Sequence, residues 1–199
     1  MAGWATWASF VALGVVALWT GTAQADPLHS ENNKARDGQF FAIGANVGLL
    51  RITDGEDIYP RVAVPLRGRL LPVGIELNLE ANREDFTTTD AAASLGTRDL
   101  FSINYAGIIY PLAPETLIQI YGLGGAQMFY SDTVECPQCQ RLPENGWGNG
   151  FFIGGGLEIP LYDTWLVDME ARYFWVNDDV SGISNRQGGQ IGLSVLLLP

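Results

Sequence analysis

The sequence predicts an all-β protein, an eight-stranded antiparallel up-and-down transmembrane β-barrel that follows a cleaved signal peptide. Three observations carry this expectation. Eight strand-like runs follow one another from Gln39, and none has helical periodicity. Their connections alternate between short, proline-containing turns and longer polar segments. Several runs alternate polar and apolar residues with period two, the signature of a two-faced strand.

The chain starts differently from the way it continues. The first 25 residues, MAGWATWASFVALGVVALWTGTAQA, contain no Asp, Glu, Lys or Arg and end in a small-x-small site before Asp26. A signal peptide cleaved after Ala25 is expected. Its start lacks Lys and Arg, so the alternative is an uncleaved anchor; the small-residue site directly after the apolar run favours cleavage. Residues 26–38 (DPLHSENNKARDG) form a polar lead-in, and residues 39–199 form the barrel.

The eight runs are QFFAIGANVGLLR from Gln39, PRVAVPLRGRL from Pro60, VGIELNLEAN from Val73, RDLFSINYAGIIY from Arg98, TLIQIYGLGGAQMFY from Thr116, GNGFFIGGGLEI from Gly148, TWLVDMEARYFW from Thr164 and QGGQIGLSVLLL from Gln187. At about ten to fifteen residues each, they are long for soluble strands and suit tilted membrane strands. The second carries Pro65, which cannot donate to a ladder, so a bulge or a shortened strand is expected there. The third, fourth, seventh and eighth alternate cleanly; in the fifth, YGLGG blurs the pattern. After the signal, no segment has the ~18 unbroken apolar residues of a transmembrane helix.

The turns LLPV, PLAPE and PLYD join strands two to three, four to five and six to seven. The other connections are ITDGEDIY, REDFTTTDAAASLGT, SDTVECPQCQRLPENGW and VNDDVSGISNR. Four long loops at one end and three short turns at the other is the layout of an outer-membrane barrel. Trp147 falls in the third long loop on this reading.

Alternation alone does not say which face meets water. Trp165 and Trp175 share a face, and at about 3.3 Å per residue and a tilt near 40° they lie roughly 25 Å apart vertically, the height of a barrel's apolar band. The apolar face therefore meets lipid, with Trp165 and Trp175 as interface aromatics. A soluble barrel with the same residues in its core is the alternative. The polar face then lines the lumen, with Arg67, Arg69, Glu76, Glu80, Glu158, Asp168, Glu170 and Arg172. A hairpin centred between Pro72 and Val73 sets Arg69 opposite Glu76. One centred on Tyr162 sets Gly156 and Gly154 opposite Asp168 and Glu170, leaving room for the acids.

A net charge of −11 argues against a nucleic-acid partner, which requires a basic patch. Cys136 and Cys139, in ECPQC, are a candidate disulfide, because export implies an oxidising compartment. Free thiols or a redox pair are the alternatives. The loop acids Asp54, Glu56, Asp57, Glu84, Asp85, Asp90, Asp178 and Asp179 are read as solvated charge, with Ca²⁺ or Mg²⁺ chelation as the rival. No cofactor, no metal site and no catalytic residue is expected.

The mature chain resembles the OmpA/OmpX-like eight-stranded outer-membrane β-barrel family. The resemblance rests on the eight-run layout, the loop and turn alternation, the stretch GGGLEIPLYDTWLVDMEARYFW and the last strand. There Gln190, Gly192, Val195 and Leu197 fit the polar-x-Gly-x-x-apolar-x-apolar signal read by the barrel assembly machinery. The chain closes on LLLP where that family usually closes on an aromatic residue. The resemblance implies a bacterial outer-membrane location, contact with outer-membrane lipid, an unknown extracellular partner for the loops, and a role in envelope integrity or surface interaction without a reaction. The rivals are a soluble periplasmic barrel binding an apolar ligand and a lipid-modifying barrel enzyme. The latter relies on a catalytic His near the outer rim, whereas the only His, His29, precedes the first strand.

Overall fold

The computed structural model describes residues 39–52, 58–86, 96–112, 118–135, 145–162, 164–177 and 186–198. They form eight strands: β1 (Gln39–Ile52), β2 (Ile58–Leu70), β3 (Val73–Phe86), β4 (Gly96–Ile109), β5 (Gln119–Glu135), β6 (Gly146–Tyr162), β7 (Trp165–Asn177) and β8 (Arg186–Leu197). Each strand pairs antiparallel with its sequence neighbours, and β1 pairs with β8, closing the barrel. Closure pairs every strand on both sides and leaves no edge strand, which is what a sheet in a hydrocarbon environment requires. The signal peptide and lead-in lie outside the described residues.

Period two is visible in the burial of side chains. On β7, Leu166, Asp168, Glu170, Arg172 and Phe174 are buried, while Met169, Ala171, Tyr173 and Trp175 are exposed. The opposite polarity of a soluble barrel is therefore excluded geometrically: the ions point inward. Outward stand large apolar side chains from every strand, among them Phe41, Val64, Ile75, Phe101, Ile120, Ile153, Met169 and Ile191.

Several sequence expectations are corrected. Pro65 neither bulges nor shortens β2. The β1–β2 register is unchanged on both sides of it, and the pairings of Gly44 and Ala45 drop out of the ladder where the proline lacks its N–H. The first short hairpin turns on Leu71 and Pro72, with Leu70 opposite Val73, so Arg67 and not Arg69 lies opposite Glu76. At the β6–β7 hairpin a bulge between Pro160 and Tyr162 moves the register: Glu158 lies opposite Asp168, Gly156 opposite Glu170 and Gly154 opposite Arg172. The β4–β5 connection, residues 110–118, is a longer span than the 53–57 connection, so the length alternation is imperfect. Strands β3 to β6 also continue into segments read as loops. Glu84 and Asp85 belong to β3, and Trp147 belongs to β6, facing outward.

Candidate functional site

The strands' inward positions fill the lumen in layers. Beside the short turns, Ala42, Leu166, Leu196 and Leu198 form an apolar layer against Phe40. Above it lies an ion network. A second apolar cluster runs from Tyr110 at the turn end to Leu50 and Phe174 toward the long connections. No wide channel can run through a barrel this narrow once its side chains pack inward.

Arg67 on β2 is the hub of the network. Its Nε donates to Glu76 at 2.9 Å, and its Nη1 donates to Glu158 at 2.7 Å and to Asp168 at 2.9 Å. Nη2 reaches Glu170 at 3.4 Å, and the guanidinium lies 4.8 Å from the centre of the Tyr121 ring. Arg69 donates to Glu158 at 2.9 Å and stacks between Phe40 and Tyr110. Arg172 donates to Glu170 and to Glu76 and stacks on Phe152. The Tyr121 hydroxyl donates to Asp168 at 2.7 Å, and the Tyr110 hydroxyl donates to Glu158 at 2.7 Å. Three guanidiniums thus face four carboxylates, each cation lying against a ring that excludes water. Such a network tolerates burial only because nearly every charge has several partners.

The glycines of β6 make this packing possible. A Cβ at Gly156 would meet the Tyr121 hydroxyl at 2.5 Å, and one at Gly154 would meet the Arg172 Cγ at 3.1 Å. At both positions the nearest atom is a carbonyl oxygen of β7, that of Met169 and that of Ala171, so close backbone approach itself requires glycine, and at Gly156 the Tyr121 hydroxyl, not an expected acid, lies next.

Toward the long connections, ion pairs join neighbouring strands. Arg61 donates to Glu80 at 2.6 Å, and Arg98 donates to Glu84 at 2.5 Å. Glu84, expected to be a solvated loop acid, is buried at 1% exposure. Asn46 donates to Ser194 at 2.6 Å in the middle of the lumen. A cavity of about 50 Å³ at the mouth is lined by residues that include Glu80, Glu84, Ser102, Gln127, Phe129 and Gln190.

All eight residues expected in the lumen face inward, with Glu80 the least buried. Arg61, Glu84, Arg98, Tyr110 and Tyr121 were missed. Each has the parity of its strand's inward set, so alternation carried the signal. For the tyrosines it was obscured by YGLGG and by the strand end. Trp175 is exposed and Trp165 half-buried, both on the outer wall. Trp147 joins them, packed against Tyr130 at 5.3 Å between ring centres. In β8, Gln190 and Gly192 face inward and Val195 and Leu197 outward. Cys136 and Cys139, and the loop acids Asp54, Glu56, Asp57, Asp90, Asp178 and Asp179, lie outside the described residues. Among the described residues no group of three or more metal-ligating side chains converges.

No protein-family model matches the chain, and no curated protein sequence matches it. Solved structures do. Neisserial surface protein A superposes with a TM-score of 0.58 at 12% identity, over 80% of this chain and 96% of that one. A major outer membrane protein of Thermus thermophilus gives 0.53 at 11% identity, over 81% and 99%. Ail of Yersinia pestis, in complex with the heparin analogue sucrose octasulfate, gives 0.50 at 14% identity, over 81% and 97%. At these identities the likeness is one of fold: this chain has the eight-stranded barrel architecture of outer-membrane proteins.

Proposed function

We propose that the chain is a non-enzymatic protein of the bacterial outer membrane, a barrel that anchors four acidic surface loops for envelope integrity or surface interaction. The observation that carries this reading is the sorting of the wall's two faces. Phe101, Ile153 and Ile191 stand more than half exposed outside, while Arg67, Glu158 and Asp168 are at most 1% exposed inside. A closed sheet with apolar side chains outside and paired ions inside has its lowest free energy in lipid. The ion-filled lumen supports an anchor in preference to a pore. A soluble carrier would need an apolar cavity where this chain holds Arg67 and its acids.

Trp147, Trp165 and Trp175 act in this reading as interface aromatics, with ring bodies in hydrocarbon and polar tips at the headgroups. Gln190, Gly192, Val195 and Leu197 act as the signal for the barrel assembly machinery. The heparin analogue belongs to the Yersinia pestis complex. A chain of net charge −11 repels such a polyanion, so the loops of this protein are read as serving a different partner.

In bilayers, bromine on lipid chains close to the headgroups should quench the three tryptophans more than bromine at the midplane. Quenching independent of depth would remove the barrel from the membrane. The loop role is tested by surface binding to intact cells with and without residues 53–57, 87–95, 136–144 and 178–185. Unchanged binding would leave the barrel in place and overturn its presenting role.

A further inference from the structure

The lumen is not filled evenly. Toward the long connections its mouth holds the cavity of about 50 Å³, walled by twelve residues. β3 contributes only polar ones, Glu80, Asn82 and Glu84, whereas β1 and β7 contribute only apolar ones, among them Leu50 and Phe174. Ser102, Gln127 and Gln190 add polar groups, and Phe129 adds a second ring. A water-sized group needs roughly 10–15 Å³, so there is room for about three to five of them. That suits a small organic molecule with a polar head and a short apolar body.

Two polar groups in this wall lack partners. The Glu80 side chain is 8% exposed. Arg61 at 2.6 Å and Asn104 at 3.3 Å both donate to its Oε2, and its Oε1 has no partner among the described residues. Gln190 is 8% exposed, and its side-chain amide bonds no described residue. Buried polar atoms of this kind cost free energy until a ligand or water satisfies them. A free carboxylate oxygen accepts N–H donors and repels anions. Charge points the same way. The turn-side network sets four carboxylates against three guanidiniums, and the mouth pairs match one to one, so the described lumen is one positive charge short. A net charge of −11 also draws cations toward the chain. A bare inorganic cation would exchange its hydration shell for a wall that is half hydrocarbon. An alkylammonium ion uses both kinds of wall, and the faces of Phe129 and Phe174 favour a cation as well as an alkyl chain.

We propose that the mouth cavity binds a small primary alkylammonium ion. Glu80 Oε1 and the Gln190 amide oxygen accept its N–H bonds, and Leu50, Phe129 and Phe174 hold its alkyl part. The site belongs to the lumen and depends neither on the loops' partner nor on the lipid-facing wall.

The test is a titration of the folded barrel in neutral detergent with propylammonium, read by amide and methyl NMR shifts, with propan-1-ol as the neutral isostere and propionate as the anion. Propylammonium should saturate one site and shift Leu50, Gln127 and Gln190. Propan-1-ol should bind at least about tenfold more weakly, and propionate should not bind. Glu80→Gln should weaken propylammonium by about tenfold, the loss of one charge-assisted bond. Because that change also loosens Arg61, a second variant leaves every ion pair in place: Ser102→Leu fills the cavity and should abolish the saturable shifts. The mobility difference between unheated and boiled samples in SDS checks that each variant is folded, and if Glu80→Gln is not, Ser102→Leu decides. No saturation in wild type would overturn the site, as would unchanged affinity in either folded variant. Equal affinity for propan-1-ol would overturn the charge preference. Displacement of propylammonium by equimolar sodium or potassium would make the cavity an inorganic-cation site and overturn the proposal.

Discussion

The two halves of the lumen solve the same problem in different ways. Beside the short turns, Arg67 on β2 holds carboxylates from β3, β6 and β7, so its bonds cross the barrel. Beside the long connections, Arg98 on β4 bonds Glu84, its own register partner on β3, and Arg61 on β2 bonds Glu80 across the β2–β3 seam. Burial does not distinguish them, since Arg67 and Arg98 are 1% and 2% exposed. Connectivity does. A pair between neighbours reinforces one seam that backbone hydrogen bonds already hold. A hub across the lumen couples strands that share no ladder, and so stabilises the closed barrel as a unit.

The largest expected effect follows from that difference. Arg67→Met leaves Glu76, Glu158, Asp168 and Glu170 facing one another with two cations in place of three, and should cost roughly 3–5 kcal/mol or more of folding stability. Reversible urea titration in micelles or bilayers measures it. A loss no greater than that of Arg98→Met would erase the distinction between the halves.

A double-mutant cycle sharpens the hub itself. Arg67→Met with Glu76→Leu should show a coupling of about 2–3 kcal/mol, because the two side chains are in direct contact. Arg69→Met with Glu76→Leu should be closer to additive, because Arg69 bonds Glu158, which shares Arg67 with Glu76. The reverse order of couplings would reinstate the other hairpin register.

Arg98→Met should cost less, about 3 kcal/mol, the low end for removing one partner from a buried ion pair. Glu84→Gln in the same background should recover part of it; no recovery would show that the pair does not account for the loss. The smallest effect belongs outside the barrel. Arg83 and Asp99 have side chains 34% and 27% exposed, so Arg83→Ala should cost at most about 1 kcal/mol and lose its effect in high salt. A salt-independent loss as large as that of Arg98→Met would mean that the outer wall carries ion pairs as strongly as the lumen does.

Local pattern made much of this protein legible. The eight runs map onto β1 to β8, because alternation in a strand is a property of the backbone and needs no partner to be seen. The inward parity of Glu76, Asp168, Glu170 and Arg172 was readable for the same reason. Boundaries were harder. Glu84 and Trp147 look like loop residues in their polar, glycine-bearing surroundings, yet β3 and β6 extend through them. Tyr110 stands beyond the last residue of β4 and still turns inward, its N–H held by the Pro72 carbonyl oxygen at 2.8 Å.

The sequence by itself determined the number of strands, their two faces and the chemistry of each face. It did not determine which charge meets which. Arg67 and Glu158 are 91 positions apart, and Arg67 and Asp168 are 101 apart. No spacing rule links residues so distant, and their meeting depends on every intervening register at once. Two of those registers were settled by single turns: the Leu71–Pro72 corner and the bulge beside Pro160. Shifting a hairpin's centre exchanges the partner of every inward residue beyond it. Even Arg98 and Glu84, only 14 positions apart, needed β3 and β4 to extend past their apparent ends before they could pair. The faces are local because side chains alternate; the network is tertiary because only closure of the barrel brings β2, β6 and β7 around one guanidinium.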